Sequence, residues 1–308
     1  MTRRLPADLR RFVRRKHDEW TERGQTNPAT VSVSLRPLER VILTDGVGRT
    51  LFDDWSEHLA SKRSHEETGW DLLGIREQSE AIVLATLPAG AARDAGAGHV
   101  RFNSWGQVLG SRIVRQSDRR LTMLGVVHTH PGSLRHPSDE DFRGDSEWVT
   151  RLRGQEGIFG IGTADCVPAN GTPFARQPSA HVQCLGKLRW SWYSLRAGAA
   201  AYRPLAVSYT LGPDLACELH KIWPVIEEHA ERLDTICRQQ TGVTVEFVEG
   251  NALAVQVPLA EPGCAIRVLI REKDIGYYLL RNGEVNTVNL SEERIDRAIY
   301  VLLSELAA

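Results

Sequence analysis

Hydrophobic positions along the 308-residue chain follow two rhythms: spacings of three to four that mark helix faces, and alternating or short continuous apolar runs that mark strands. In residues 5–20, Leu5, Leu9, Phe12, Val13 and Trp20 fall near one helix face. Arg3, Arg4, Arg10, Arg11, Arg14, Arg15 and Lys16 crowd the rest. This pattern predicts a basic amphipathic helix, its apolar stripe packed on the body or docked on a partner. GQTNPAT (24–30) carries turn chemistry and predicts a linker, so 1–30 forms one segment.

Residues 31–210 alternate strand-like and helix-like runs, an α/β pattern. VSVSLRPL predicts a strand and Thr50 to Lys62 a helix. DLLGIREQSEAIVLATL predicts a hairpin, because two apolar runs flank a polar turn. The glycines and alanines of PAGAARDAGAGHVRFN predict a long surface loop, 88–103. A helix over SWGQVLGSRIVRQSD, a buried strand over LTMLGVVHTH, a helix over PSDEDFRGDSEWVTRLRG and a strand over GIFGIGTA follow. A loop rich in Pro, Gly and Asn runs to Ser179, and HVQCLGKLRWSWYSL predicts closing strands.

Residues 211–308 form a second, smaller α+β unit. DLACELHKIWPVIEEHAERLDTICRQQTG predicts a long helix kinked or broken at Pro224. Four segments, VTVEFVEG, NALAVQVPLA, CAIRVLIREK and GYYLLRNGEVNTVNL, predict an antiparallel meander. SEERIDRAIYVLLSELAA predicts a closing helix capped at Ser291.

Composition narrows the class. Hydrophobic residues make up 42% and charged residues 25%, as in soluble globular proteins. Thirty-eight basic against 39 acidic residues give a formal charge of -1, so no global field draws the chain to nucleic acid or an anionic membrane. Five scattered cysteines without a C-x-x-C pair argue against a disulfide framework or cysteine zinc knuckle and fit a reducing compartment. No apolar run reaches membrane-helix length, so a soluble cytoplasmic protein is expected.

The chemistry concentrates in GVVHTHPGSLRHPSDEDF (125–142). His128 and His130 end an apolar strand two residues apart, so both imidazoles aim to one side. Pro137 and Ser138 read as a helix start that returns Asp141 from the first turn. Two imidazoles and one carboxylate suit Zn²⁺ and leave a fourth position open for water, the arrangement of a catalytic site. Each piece alone has a plainer reading, S-x-x-D as a helix capping arrangement and His128 as a hydrogen-bonded strand histidine. Capping does not require two histidines on one face just upstream, and the joint pattern favours a metal site. There is no G-x-S-x-G elbow or P-loop, and Cys166 reads as a buried structural cysteine.

His128-Thr129-His130-Pro131, then Ser138 and Asp141, resembles the H-x-H-x7-S-x2-D signature of JAB/MPN/JAMM zinc metalloproteases. ETGWDLLG (67–74) is similar to the upstream element of the prokaryotic JAB branch, with Trp70 and Asp71 departing from it. The resemblance spans about residues 45–210. It implies a cytidine-deaminase-like mixed β-sheet core flanked by helices, one Zn²⁺ on His128, His130 and Asp141, and Glu67 as general base and acid. Glu66 is the adjacent alternative. Ser138 would donate to the developing oxyanion. The implied activity is hydrolysis of a peptide or isopeptide bond at the C-terminus of ubiquitin or a ubiquitin-like protein, by deconjugation or precursor processing, with E1-like and E2-like partners, in an antiphage pathway among others. Processing of a sulfur-carrier protein and a non-catalytic MPN scaffold are the alternatives. The loops 88–103 and 163–180 lie where this family places substrate-contacting segments.

Overall fold

A computed structural model describes residues 35–167, 175–248, 251–290, 292 and 294–306. The predicted N-terminal helix and linker, residues 31–34 of the first predicted strand, 168–174 of the second loop, and Ser291 and Glu293 of the last predicted cap lie outside these residues. Residues 35–308 form one compact unit.

The elements of the first half are β1 (Arg40–Thr44), α1 (Asp45–Ala60), β2 (Gly69–Arg76), β3 (Glu80–Pro88), β4 (Asp94–Ala95), β5 (Val100–Arg101), α2 (Ser104–Ser117), β6 (Thr122–Thr129), α3 (Asp139–Trp148), β7 (Glu156–Thr163), β8 (Arg176–Ser179), β9 (Val182–Leu185), β10 (Leu188–Arg196), β11 (Arg203–Pro204) and β12 (Ala206–Thr210). Ten of these strands make one mixed sheet in the order β12-β1-β3-β2-β6-β7-β10-β9-β8, with β11 on β10. The sheet curls, and the Val207 N–H of β12 reaches the Ala180 carbonyl at the β8–β9 turn (2.8 Å). Trp55, Trp70, Trp190 and Trp192 fill one face together with Leu43, Leu51 and Leu72. The rings of Trp55 and Trp190 lie 5.0 Å apart. Such aromatic pairs are the largest apolar contribution a small core can bury.

The second half contains α4 (Cys217–His220), α5 (Trp223–Gln239), β13 (Thr244–Val248), β14 (Ala252–Pro258), β15 (Cys264–Ile270), β16 (Ile275–Arg281), β17 (Glu284–Val288) and α6 (Ile295–Leu306). Pro224 sits in the first turn of α5, where its missing N–H costs nothing, so the predicted break is a helix start. The meander has five strands in sequence order, not four. The fourth predicted segment folds back on itself at Asn282 and Gly283, whose φ values of 50° and 88° are those of a tight hairpin turn. One continuous core joins the two halves: Leu73, Ala85, Leu87 and Leu109 pack with Trp223, Ile226, Leu233, Val255 and Ile266.

Four further differences from the pattern-based expectations have local causes. Residues 35–38 are not strand; β1 begins at Arg40 instead. Loop 88–103 contains the short β4–β5 ladder. The helix expected over 137–154 ends at Trp148 and continues as two 3-10 turns, with Gly154 at φ 78°. Cys166 and Cys184 are joined in a disulfide, against the expectation of unpaired cysteines. The chain after β7 turns alongside the β9–β10 hairpin, where the Cys166 N–H meets the Lys187 carbonyl (2.9 Å), and this brings the two Cα atoms to 6.4 Å. The reducing compartment inferred from cysteine spacing loses that support. No helix among the described residues is long and apolar enough to cross a membrane.

One buried acid has a stability consequence. Asp71 of β2 lies between Leu87 of β3 and Val126 of β6, and burial pushes its carboxyl up to about 7. The folded protein therefore holds this proton more tightly than the unfolded chain does. Its effect is absent below the unfolded value near 4, and stability is lost as pH rises to about 7, by roughly 4 kcal/mol. Asp71→Asn should match the wild type in urea denaturation at pH 4 and exceed it increasingly towards pH 8. Equal midpoints at both pH values would contradict this.

Candidate metal centre

The site forms where β6 ends. Antiparallel β2 and parallel β7 flank β6, with Gly69 opposite His128 and His128 opposite Ile161. Beyond the strand, the His130 N–H donates to the Gly162 carbonyl (2.8 Å). Thr129 locks the register against the segment before β2: its N–H donates to the Thr68 carbonyl (2.8 Å), and its Oγ1 accepts from the Thr68 N–H (3.0 Å). This pairing brings Glu67, 61 residues upstream of His128, beside the two histidines. The N-terminus of α3 closes the site. Ser138 is its N-cap in a reciprocal capping box with Asp141, whose N–H donates to Ser138 Oγ (3.1 Å). The Ser138 N–H and Oγ–H both donate to Asp141 Oδ2 (2.6 and 2.7 Å). The capping reading of S-x-x-D thus holds, and the same contacts aim Asp141.

His128 Nε2 and His130 Nε2 lie 3.0 Å apart. Asp141 Oδ1 is 3.4 Å from His128 Nε2, and Asp141 Oδ2 is 3.6 Å from His130 Nε2. The His130 Nδ1–H donates to the Leu134 carbonyl (2.8 Å), which leaves the lone pair on Nε2. Around an ion with tetrahedral bonds of about 2.0–2.1 Å, donor atoms sit about 3.3 Å from one another. The separations lie near that value, with each imidazole nitrogen facing a different oxygen of Asp141. One donor atom from each of His128, His130 and Asp141 lies within 4.8 Å of the others, a group able to hold one metal ion. Two imidazole nitrogens and a carboxylate suit a first-row transition ion better than Mg²⁺ or Ca²⁺.

Electrostatics agree with the placement. Burial opposes charge on Asp141, yet contact with His128, His130 and the Ser138 hydroxyl holds its carboxyl far below the usual carboxylate range. Glu67 is 3% exposed, and burial pushes its carboxyl up against the opposing pull of His128 and His130, while Asp141 adds to the rise. Its neighbour Glu66 is taken by Arg63 Nε (2.6 Å). Burial lowers proton affinity at His130, but Asp141, the Leu134 carbonyl and Glu67 raise it further.

Beside Asp141, a cleft of about 330 Å³ opens between the β4–β5 ladder and α3, lined by Asp94, His99, Arg101, Glu140, Asp141 and Asp145 among others. Burial pushes Asp145 up to about 6, and its Oδ2 accepts from Tyr202 Oη (2.7 Å). The loop expectation for 88–103 thus falls on one wall of this cleft. His136 is exposed, with Nδ1 against the Pro137 carbonyl (3.1 Å). Pattern reading missed Thr129, Leu134 and Arg93, which orient site residues through backbone contacts that leave no motif.

Residues 49–177 match the family model described as prokaryotic homologs of the JAB domain. This segment belongs to that family. The match contains Glu67, His128, His130, Ser138 and Asp141, and the mixed sheet flanked by helices is the architecture expected of a JAB domain. Comparison with curated proteins gives no match. Among solved structures, the solution structure of protein DSY2949 from Desulfitobacterium hafniense is 14% identical, covers 56% of this chain and 94% of its own, and superposes with a TM-score of 0.38.

Proposed function

We propose that this JAB-domain protein is a zinc-dependent peptidase or isopeptidase that hydrolyses the bond at the C-terminus of a ubiquitin or ubiquitin-like protein, by deconjugation or precursor processing. The observation that carries the reading is the convergence of two imidazole nitrogens 3.0 Å apart with Asp141 on one side and buried Glu67 beside them. A bound Zn²⁺ supplies Lewis acidity and lowers the pKa of water to about 7. His128, His130 and Asp141 would hold the ion. Glu67, a carboxyl whose proton affinity burial has raised, takes the proton of the attacking water and returns it to the departing amine. Ser138 Oγ, now engaged with Asp141, donates to the oxygen on which charge develops. The cleft between β4–β5 and α3 opens beside Asp141, where an extended tail would lie. E1-like and E2-like proteins are the expected partners in a prokaryotic modification pathway, with a sulfur-carrier protein as the competing substrate.

The JAB family holds peptidases and non-catalytic members, so the test must separate them. Purified protein is assayed for metal and for cleavage of ubiquitin-like and sulfur-carrier fusions. Chelator-sensitive, zinc-restored cleavage supports the proposal, and metal without hydrolysis favours a scaffold. Ser138→Ala tests the oxyanion role. It should retain the ion, lose about 1 kcal/mol of stability with the cap, and lose about 2.7–4 kcal/mol of transition-state stabilisation, read as kcat. Unchanged kcat with weakened metal binding would restrict Ser138 to holding Asp141.

A further inference from the structure

The second half of the chain reaches the site through a turn. Glu227, on α5, accepts the Ala91 N–H on Oε2 (3.0 Å) and the Ala92 N–H on Oε1 (3.1 Å). Gly90, at φ 80°, lies so close beneath that a Cβ there would stand 1.9 Å from Glu227 Oε1. The turn carries Arg93, whose side chain is 7% exposed. Arg93 Nη1 donates to the Gly90 carbonyl (2.6 Å) and Nε to the Glu67 carbonyl (3.1 Å). Three residues on, the Gly96 carbonyl accepts the Glu67 N–H (2.8 Å). Both backbone groups of Glu67 are thus held by the 90–96 segment, and that segment rests on α5. His58 completes the grip, its Nε2 against the Glu66 carbonyl (2.9 Å).

We propose that α5 braces the general base: Glu227 is a positioning residue that fixes Glu67 through the 90–93 turn and Arg93. This rests on the catalytic reading of Glu67 given above. It assigns the second half of the chain a part in the site, because a carboxylate serving as general base must stay within hydrogen-bond reach of its proton, and a displacement of about 1 Å costs up to about 100-fold in rate. A staple that merely joins the two halves would leave Glu67 unmoved when cut.

The test measures amide hydrogen exchange by NMR, metal content, and kcat and KM on a ubiquitin-like fusion, all on the full chain. In Glu227→Ala, exchange at the Glu67 amide should quicken about tenfold or more while the amides of β14 and β15 keep their rates. Metal content and KM should stay within about twofold of wild type, with kcat down about 10- to 100-fold. Glu227→Gln, which keeps one acceptor for the turn, should recover most of the loss. If Glu227→Ala does not fold, Gly90→Ala breaks the same contact from the other side and is read in the same way. An unchanged Glu67 exchange rate overturns the brace, as does unchanged kcat. If the wild type hydrolyses nothing, the functional reading fails while exchange still decides the brace.

Discussion

Glu67→Gln should purify folded, hold its metal and lose hydrolysis by about 10²- to 10⁴-fold in kcat, the usual share of a general acid-base group. Glutamine keeps the shape of a side chain that is 3% exposed and removes only its capacity to move a proton. Because burial raises the Glu67 carboxyl, its ionised form is a burden on the folded state at neutral pH, and the amide relieves it. The thermal midpoint of Glu67→Gln should therefore equal or exceed that of wild type. Residual cleavage near the wild-type rate would move the base elsewhere, and Glu66, ion-paired to Arg63, would be tested next.

Asp141→Asn should cost metal affinity by more than the roughly 10- to 100-fold that loss of an outer-shell partner brings. The amide oxygen can still accept the Ser138 N–H, so the first turn of α3 survives while the charged donor is gone. Without the carboxylate, two imidazole nitrogens 3.0 Å apart are the remaining donors of the group. Competition against a fluorescent chelator reads the affinity, and cleavage should fall with it. Affinity equal to wild type would remove Asp141 from the ligand set.

The grouping of the candidate metal site was legible because it is local. His128, His130, Ser138 and Asp141 lie within fourteen residues, on one strand end and the helix start that follows, so spacing alone predicts their meeting. Glu67 was legible only by resemblance, since what brings it there is the pairing of Gly69 with His128 across 59 residues. Arg93 and Glu227 carry no motif; an arginine and a glutamate in polar contexts look like solvated charges until a sheet and a helix are docked. The alternation of β14 and β15 announced strands, yet nothing in Val255 or Ile266 says that they would bury against Leu87 and Leu109 of the JAB half. The Cys166–Cys184 bond depends on a turn after β7 that spacing does not encode. The fifth strand, by contrast, has a local signal in Asn282-Gly283, a hairpin turn lying inside one apolar segment.

The proposed activity requires one ion held by two imidazoles and a carboxylate. Elemental analysis with X-ray absorption at the zinc edge, on the full chain purified without added metal and then loaded with one equivalent of Zn²⁺, tests it most directly. The expected result is one zinc per chain, two imidazole nitrogens and oxygen donors at about 2.0–2.2 Å, and loss of that spectrum in His128→Ala. A chain that takes up no zinc, or a spectrum with sulfur donors that His128→Ala leaves unchanged, would contradict it.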